Sequence, residues 1–151
     1  MNPYNNSHFK FVNKSFPEVE FACTSVSIPS ITSSATTQVS RYSDIKHPGD
    51  KLTFSPLELT FLVDEELKNY QEIASYLINL KDTEYKDLKH SISDSKILIH
   101  NSSHKLTGTY TFKDSFPTDL SALELTSTES GITYPTATVA FEYTSFDFVR
   151  A

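Results

Sequence analysis

Between Leu57 and Leu80 the hydrophobic pattern changes period once, and that change limits the fold more than any other feature of the chain. Leu57, Leu59, Phe61 and Val63 alternate with Glu58, Thr60 and Leu62, the two-residue period of a strand with one buried face. From Asp64 to about Leu80 the spacing turns helical, with Leu67, Tyr70, Ile73, Ala74, Leu77 and Leu80 on one side. Asp64 is placed to cap this helix, Glu65 and Glu66 to fill the first turn where the dipole favours anions, and Lys81 to close the last. A strand running straight into such a helix implies a β-structure with one helix laid over an open side.

The rest of the chain reads mainly as strands. Ile97-Leu98-Ile99 and the alternation Leu106, Gly108, Tyr110, Phe112 flank the polar run Asn101 to His104, a hairpin pattern. Ala122 to Thr126 reads as a further strand, Thr128 to Gly131 as a turn, and Pro135 to Val149 as a long last strand. In that strand Ala137, Val139, Phe141 and Tyr143 share one parity and Phe146 and Phe148 the other, so a bulge or bend is expected near Thr144-Ser145. Val19, Phe21 and Cys23 against Val26 and Ile28 imply a similar bend near the N-terminus. Asp82 to Asp94 is a charged connector, and Pro48-Gly49 reads as a turn.

Ser30 to Asp50 stands apart. Ser33, Thr36, Thr37, Gln38, Val39, Ser40, Arg41, Tyr42 and Ser43 favour extended backbone yet offer almost nothing to a core of their own. A structureless loop of this length is uncommon inside a compact domain. The preferred reading is a β-hairpin or extended arm ordered by neighbouring subunits, and the other is a mobile surface loop. At 151 residues the chain fits one domain, residues 1–151, able to bury roughly 70% of its unfolded surface.

No constellation for covalent chemistry is legible. The single cysteine, Cys23, excludes an internal disulfide and reads as a small buried hydrophobe. Of the five histidines, His100 and His104 are four apart but flank a turn between strands, so they read as an exposed pair, not a helical metal site. Asp64, Glu65 and Glu66 are explained by helix electrostatics. The three glycines are far apart and no Gly-x-Ser-x-Gly elbow occurs. The expectation is a non-enzymatic chain with no catalytic residue, metal or cofactor.

A net charge of -6, with 13 scattered Lys and Arg, disfavours tight nucleic-acid binding. It suits a surface that a polyanion must slide past. The N-terminus lacks a basic, apolar leader and no apolar run nears the ~20 residues of a spanning helix, so a cytoplasmic protein without membrane contact is expected.

The block Pro48-Gly49-Asp50 through Phe61, Asp64, Glu65 and Tyr70 resembles the tail tube proteins of contractile-tailed bacteriophages. So do Phe116-Pro117 ahead of a strand and Phe141-Glu142-Tyr143 near the end, in the same order and spacing. The resemblance implies two packed antiparallel sheets, as a sandwich or small barrel, with one flanking helix. It implies homo-hexameric rings stacked into a hollow virion tube, sheath and baseplate proteins as partners, and passage of double-stranded DNA without tight binding. Assembly in the host bacterial cytoplasm would follow, with the polar arm contacting the adjacent ring. A baseplate ring that initiates the tube has the same fold, and the ring proteins of type VI secretion share its architecture. Outside this class, a monomeric β-sandwich that binds carbohydrate through exposed Tyr and Asn is the alternative, with a small β-barrel hydrolase third.

Overall fold

The computed structural model describes residues 1, 3–82, 92–128 and 130–151. Most of the connector from Asp82 to Asp94, with His90, lies outside the described residues, as does Glu129 of the Thr128–Gly131 turn. Nine strands and two helices occur among them in the order β1 (Phe9–Asn13), α1 (Pro17–Ala22), β2 (Cys23–Ser27), β3 (Ile31–Gln38), β4 (Ile45–Phe54), β5 (Leu57–Leu62), α2 (Lys68–Asn79), β6 (Ser93–His100), β7 (Leu106–Leu120), β8 (Thr136–Glu142) and β9 (Ser145–Arg150).

The strands form two antiparallel sheets and a separate hairpin. The first sheet has the order β1-β6-β7-β9 and the second β7-β8-β5-β2, so β7 serves both. The chain passes from one sheet to the other at Lys113–Ser115, where Asp114 takes a positive φ of 54°. The expected bend near Thr144 is a second crossing: β8 belongs to the second sheet and β9 to the first. The change of parity in the sequence records a change of sheet.

The inner faces meet in one core. On β5 and β8, Leu57 lies opposite Phe141, Leu59 opposite Val139 and Phe61 opposite Ala137, all fully buried. Large side chains face smaller ones, which lets this layer interdigitate. Phe11, Ile97 and Phe112 approach from the first sheet, with the Phe11 and Phe141 rings 6.2 Å apart. Phe16 and Val19, at and within α1, and Ile73 of α2 close one open side, with Phe16 edge-on to Tyr76 at 5.5 Å.

The flanking helix is present but begins later than its sequence suggests. Asp64 to Leu67 form a turn closed by a bond from the Leu67 amide to the Asp64 carbonyl at 2.9 Å, and Leu67 has a φ of 57°. The helix starts at Lys68 with no side-chain cap and no acid in its first turn, because Asp64, Glu65 and Glu66 are spent on the turn. Buried Asn69 sets this junction. Its Oδ1 accepts the Asp64 amide at 3.1 Å, and its Nδ2 donates to the Leu62 carbonyl at 2.7 Å.

Other expectations change as well. Among the described residues there are two helices, not one: Pro17 opens α1 where a bent strand was expected through Val19, Phe21 and Cys23. Residues Ala122 to Thr126 form no strand. Pro48-Gly49 is not a turn but lies within β4, which turns back on β3 at Val39 to Asp44.

A closed polar ring ties β1, β6 and β7 together at one end of the first sheet. Ser115 Oγ donates to the Ser93 carbonyl at 2.6 Å, so the 2.6 Å contact between Ser95 and Ser115 hydroxyls must have Ser95 as donor. Asn13 Nδ2 then donates to Ser95 Oγ at 2.7 Å, while Asn13 Oδ1 accepts from Ser93 Oγ and the Ser15 amide. Every buried hydroxyl of the ring has a donor role and an acceptor role assigned.

Candidate functional site

The β3–β4 hairpin buries no residue of its own. Every residue of β3 and β4 is exposed apart from half-buried Gly49. Antiparallel pairing holds it, from Ile31 opposite Phe54 to Gln38 opposite Ile45. The register slips between Ser33, which faces Leu52, and Ala35, which faces Pro48, so Gly49 to Lys51 bulge opposite Ser34. Gly49 is required by space, not by conformation: its φ is not positive, and a Cβ there would run into the Ser34 backbone and hydroxyl.

Pairing gives the hairpin two unlike faces. Ile31, Ser33, Ala35 and Thr37 share one with Phe54, Leu52, Pro48 and Lys46, apolar toward the base, while Thr32, Thr36 and Gln38 share the other with Thr53, His47 and Ile45. The base is anchored: the Ser55 amide donates to the Ser30 carbonyl at 3.2 Å, and Ser55 Oγ accepts the Ser30 amide at 2.8 Å. Phe54 packs edge-on to Phe146 at 5.3 Å, joining an aromatic group with Tyr110, Phe112 and Tyr143.

The residues picked out from the sequence therefore divide. Ser33, Thr36, Thr37, Gln38, Val39, Ser40, Arg41, Tyr42 and Ser43 come together on the hairpin and its tip, all exposed. Pro48, Gly49 and Asp50 sit at its bulge. Phe61, Pro117 and Phe141 are buried, and Phe116 is half-buried beside them on β7. Tyr70 Oη donates to the Ser121 carbonyl at 3.1 Å, and Asp64 and Glu65 form the exposed turn before α2. These motif residues build the subunit and do not converge on one pocket, although Asp64 and Glu65 line the groove described next.

Sequence reasoning missed a groove at the end of the second sheet where β2 begins and β5 ends. Its volume is about 1020 Å³, at the upper end of the ~300–1,000 Å³ of small-molecule sites, and it is open to solvent. Phe21, Leu62, Leu125 and Tyr134 give it apolar walls, and Glu18, Asp64 and Glu65 an acidic rim. Cys23 lines it, half-buried, and burial pushes the thiol up to about 11. Pro17 was the available signal, since a helix beginning there turns Phe21 outward.

Nothing in either region assembles reactive chemistry. Among the described residues no group of three or more His, Cys, Asp or Glu could hold a metal ion. His100 and His104 are not a matched exposed pair, for His100 is half-buried and His104 stacks on His8 with ring centroids 4.8 Å apart. No described helix is long and apolar enough to cross a membrane.

Two antiparallel sheets sharing a strand, a flanking helix and a projecting hairpin agree with a family model, that of the phage tail tube protein, which matches residues 3–149. The chain belongs to the phage tail tube protein family. Among solved structures, this tail tube chain is similar to one from the tube-terminating cap of the anti-feeding prophage, with a TM-score of 0.72 at 14% identity, covering 100% of this chain and 93% of that one. It is similar to a chain of the sheath-tube complex of the PVC extracellular contractile injection system, at 0.71 and 16%, covering 99% and 93%. A chain of the anti-feeding prophage baseplate matches at 0.71 and 13%, covering 99% and 97%. At these identities the likeness is one of fold. No curated protein sequence matches. The tail tube family is structural, and this chain is a structural protein, not an enzyme.

Proposed function

We propose that six copies of this chain close into a ring and that rings stack into the inner tube of a contractile, phage-like particle, with the β3–β4 hairpin bridging neighbours. The observation that carries the reading is the hairpin itself, an eight-residue strand paired with a ten-residue one and left to solvent on both faces in the single chain beyond the Phe54–Phe146 contact at its base. An isolated two-stranded hairpin is marginal in water, so a partner on its apolar face would stabilise it. The net charge of -6 supports a lumen that double-stranded DNA traverses without sticking. Sheath and baseplate proteins are the partners of such a tube, with assembly in the cytoplasm of a bacterial host and residence in the finished tail. A tube-initiating ring in the baseplate is the second reading, favoured by the likeness to a baseplate chain.

Size-exclusion chromatography and negative-stain microscopy of the purified chain test this. Six-fold rings or tubes are expected at high concentration, and removal of residues 36–43 is expected to leave a folded subunit that forms neither. A chain that stays monomeric at high concentration, or a deletion variant that makes tubes of normal length, overturns it.

A further inference from the structure

The hairpin base and the acidic groove lie at opposite ends of one ladder. Strand β2 runs from Cys23, at the groove, to Ser27, just before the hairpin base at Ser30. Strand β5 returns from Leu57, just after the base at Ser55, to Leu62 and the groove. The eight residues of β3 carry the tip roughly 26 Å from its base. The base of the hairpin and the groove of the same copy are thus separated by the length of the ladder.

The tip and the groove are complementary. The tip presents Val39, 83% exposed, and Tyr42, 92% exposed, with Arg41 between them and with Asp44 and Lys46 just behind. In the groove Phe21 is 93% exposed, Leu125 79% and Tyr134 76%, under a rim of Glu18, Asp64 and Glu65 with no lysine or arginine among its lining residues. Large apolar side chains left uncovered in a polar rim mark a docking surface, and here Arg41 and Lys46 outweigh Asp44 at the tip while the rim is anionic.

We propose that the hairpin tip of one copy seats in the Phe21–Leu125–Tyr134 groove of a second copy, Tyr42 and Val39 entering and Arg41 meeting the acidic rim. Because donor and acceptor surfaces differ, the contact is head-to-tail and repeats from copy to copy. This rests on the tube reading above and adds the surface that receives the hairpin.

Cysteine cross-linking in a Cys23→Ser background tests it. Tyr42→Cys with Leu125→Cys, oxidised under assembling conditions, should give a reducible ladder of dimers, trimers and longer species, and each single variant should give none. Tubes of the double variant that yield no ladder, or dimers from Tyr42→Cys alone, overturn the docking and leave the tube reading standing. A wild-type chain that never assembles overturns both. If the cysteines themselves block assembly, charge exchange decides. Arg41→Glu should raise the concentration needed for assembly about tenfold or more, and adding Glu65→Arg should restore it; no restoration from Glu65→Arg, Asp64→Arg or Glu18→Arg overturns the docking.

Discussion

The phenol of Tyr143 donates a 2.7 Å hydrogen bond to the carbonyl of Ser55, joining the corner between β8 and β9 to the exit of the β3–β4 hairpin. Burial, and then the Glu142 carboxylate, push the Tyr143 pKa up, so the phenol keeps its proton and remains a donor at ordinary pH. Tyr143→Phe should cost about 1 kcal/mol. By differential scanning calorimetry Tm should fall by roughly 2–4 °C, and amide exchange should quicken first at the hairpin base.

Ser115→Ala breaks the ring that unites β1, β6 and β7. Ser95 loses its acceptor and the Ser93 carbonyl its side-chain donor, in a place where no residue of the ring but Ser93 reaches intermediate exposure. Leaving buried polar groups unpaired costs about 1–3 kcal/mol. Denaturant titration should show that loss, and an undiminished midpoint would show the ring contributes nothing.

Glu72 carries a pH dependence of known sign. Desolvation, and then the Glu18 carboxylate, raise its pKa above the ordinary 4.5, and its Oε2 has no hydrogen-bond partner. Between the unfolded and folded pKa values the native state binds more protons, so stability falls as pH rises through that window. Glu72→Gln should therefore raise Tm near neutral pH and leave it unchanged below 4.5. An equal effect at both pH values would contradict the assignment.

Gly49→Ala places a methyl group against the Ser34 backbone, which cannot yield as a side-chain end could. The hairpin lies outside the core, so the thermal midpoint should hold while hairpin amides exchange faster and assembly weakens. Retained tubes with slow exchange would show that the bulge tolerates a side chain.

Legibility in the sequence followed burial. The buried triplets Leu57, Leu59, Phe61 and Ala137, Val139, Phe141 alternate cleanly because one face of each strand is dry. The start of α2 was misplaced because Asn69, a polar side chain buried inside the first helical turn, binds the strand end and diverts Asp64 to Glu66 into a turn. No periodicity reports such a bond. Parity at Thr144 marked the right place, but a break in alternation cannot distinguish a bulge from a crossing between sheets. The hairpin and the groove were half visible. The polar run marked the hairpin, whereas its apolar face depends on the pairing of Ile31 with Phe54 and Ser33 with Leu52, and the groove on side chains as distant as Phe21 and Tyr134.

Strand β7 spends its fifteen residues on both sheets, pairing with β6 and β9 before Asp114 and with β8 after it. A molecule stitched in this way has no seam along which one sheet could melt while the other held, since unzipping either strips the shared strand from both. Unfolding should be all-or-none. Anything built from such units would yield under load at the joints between copies before it yielded within one.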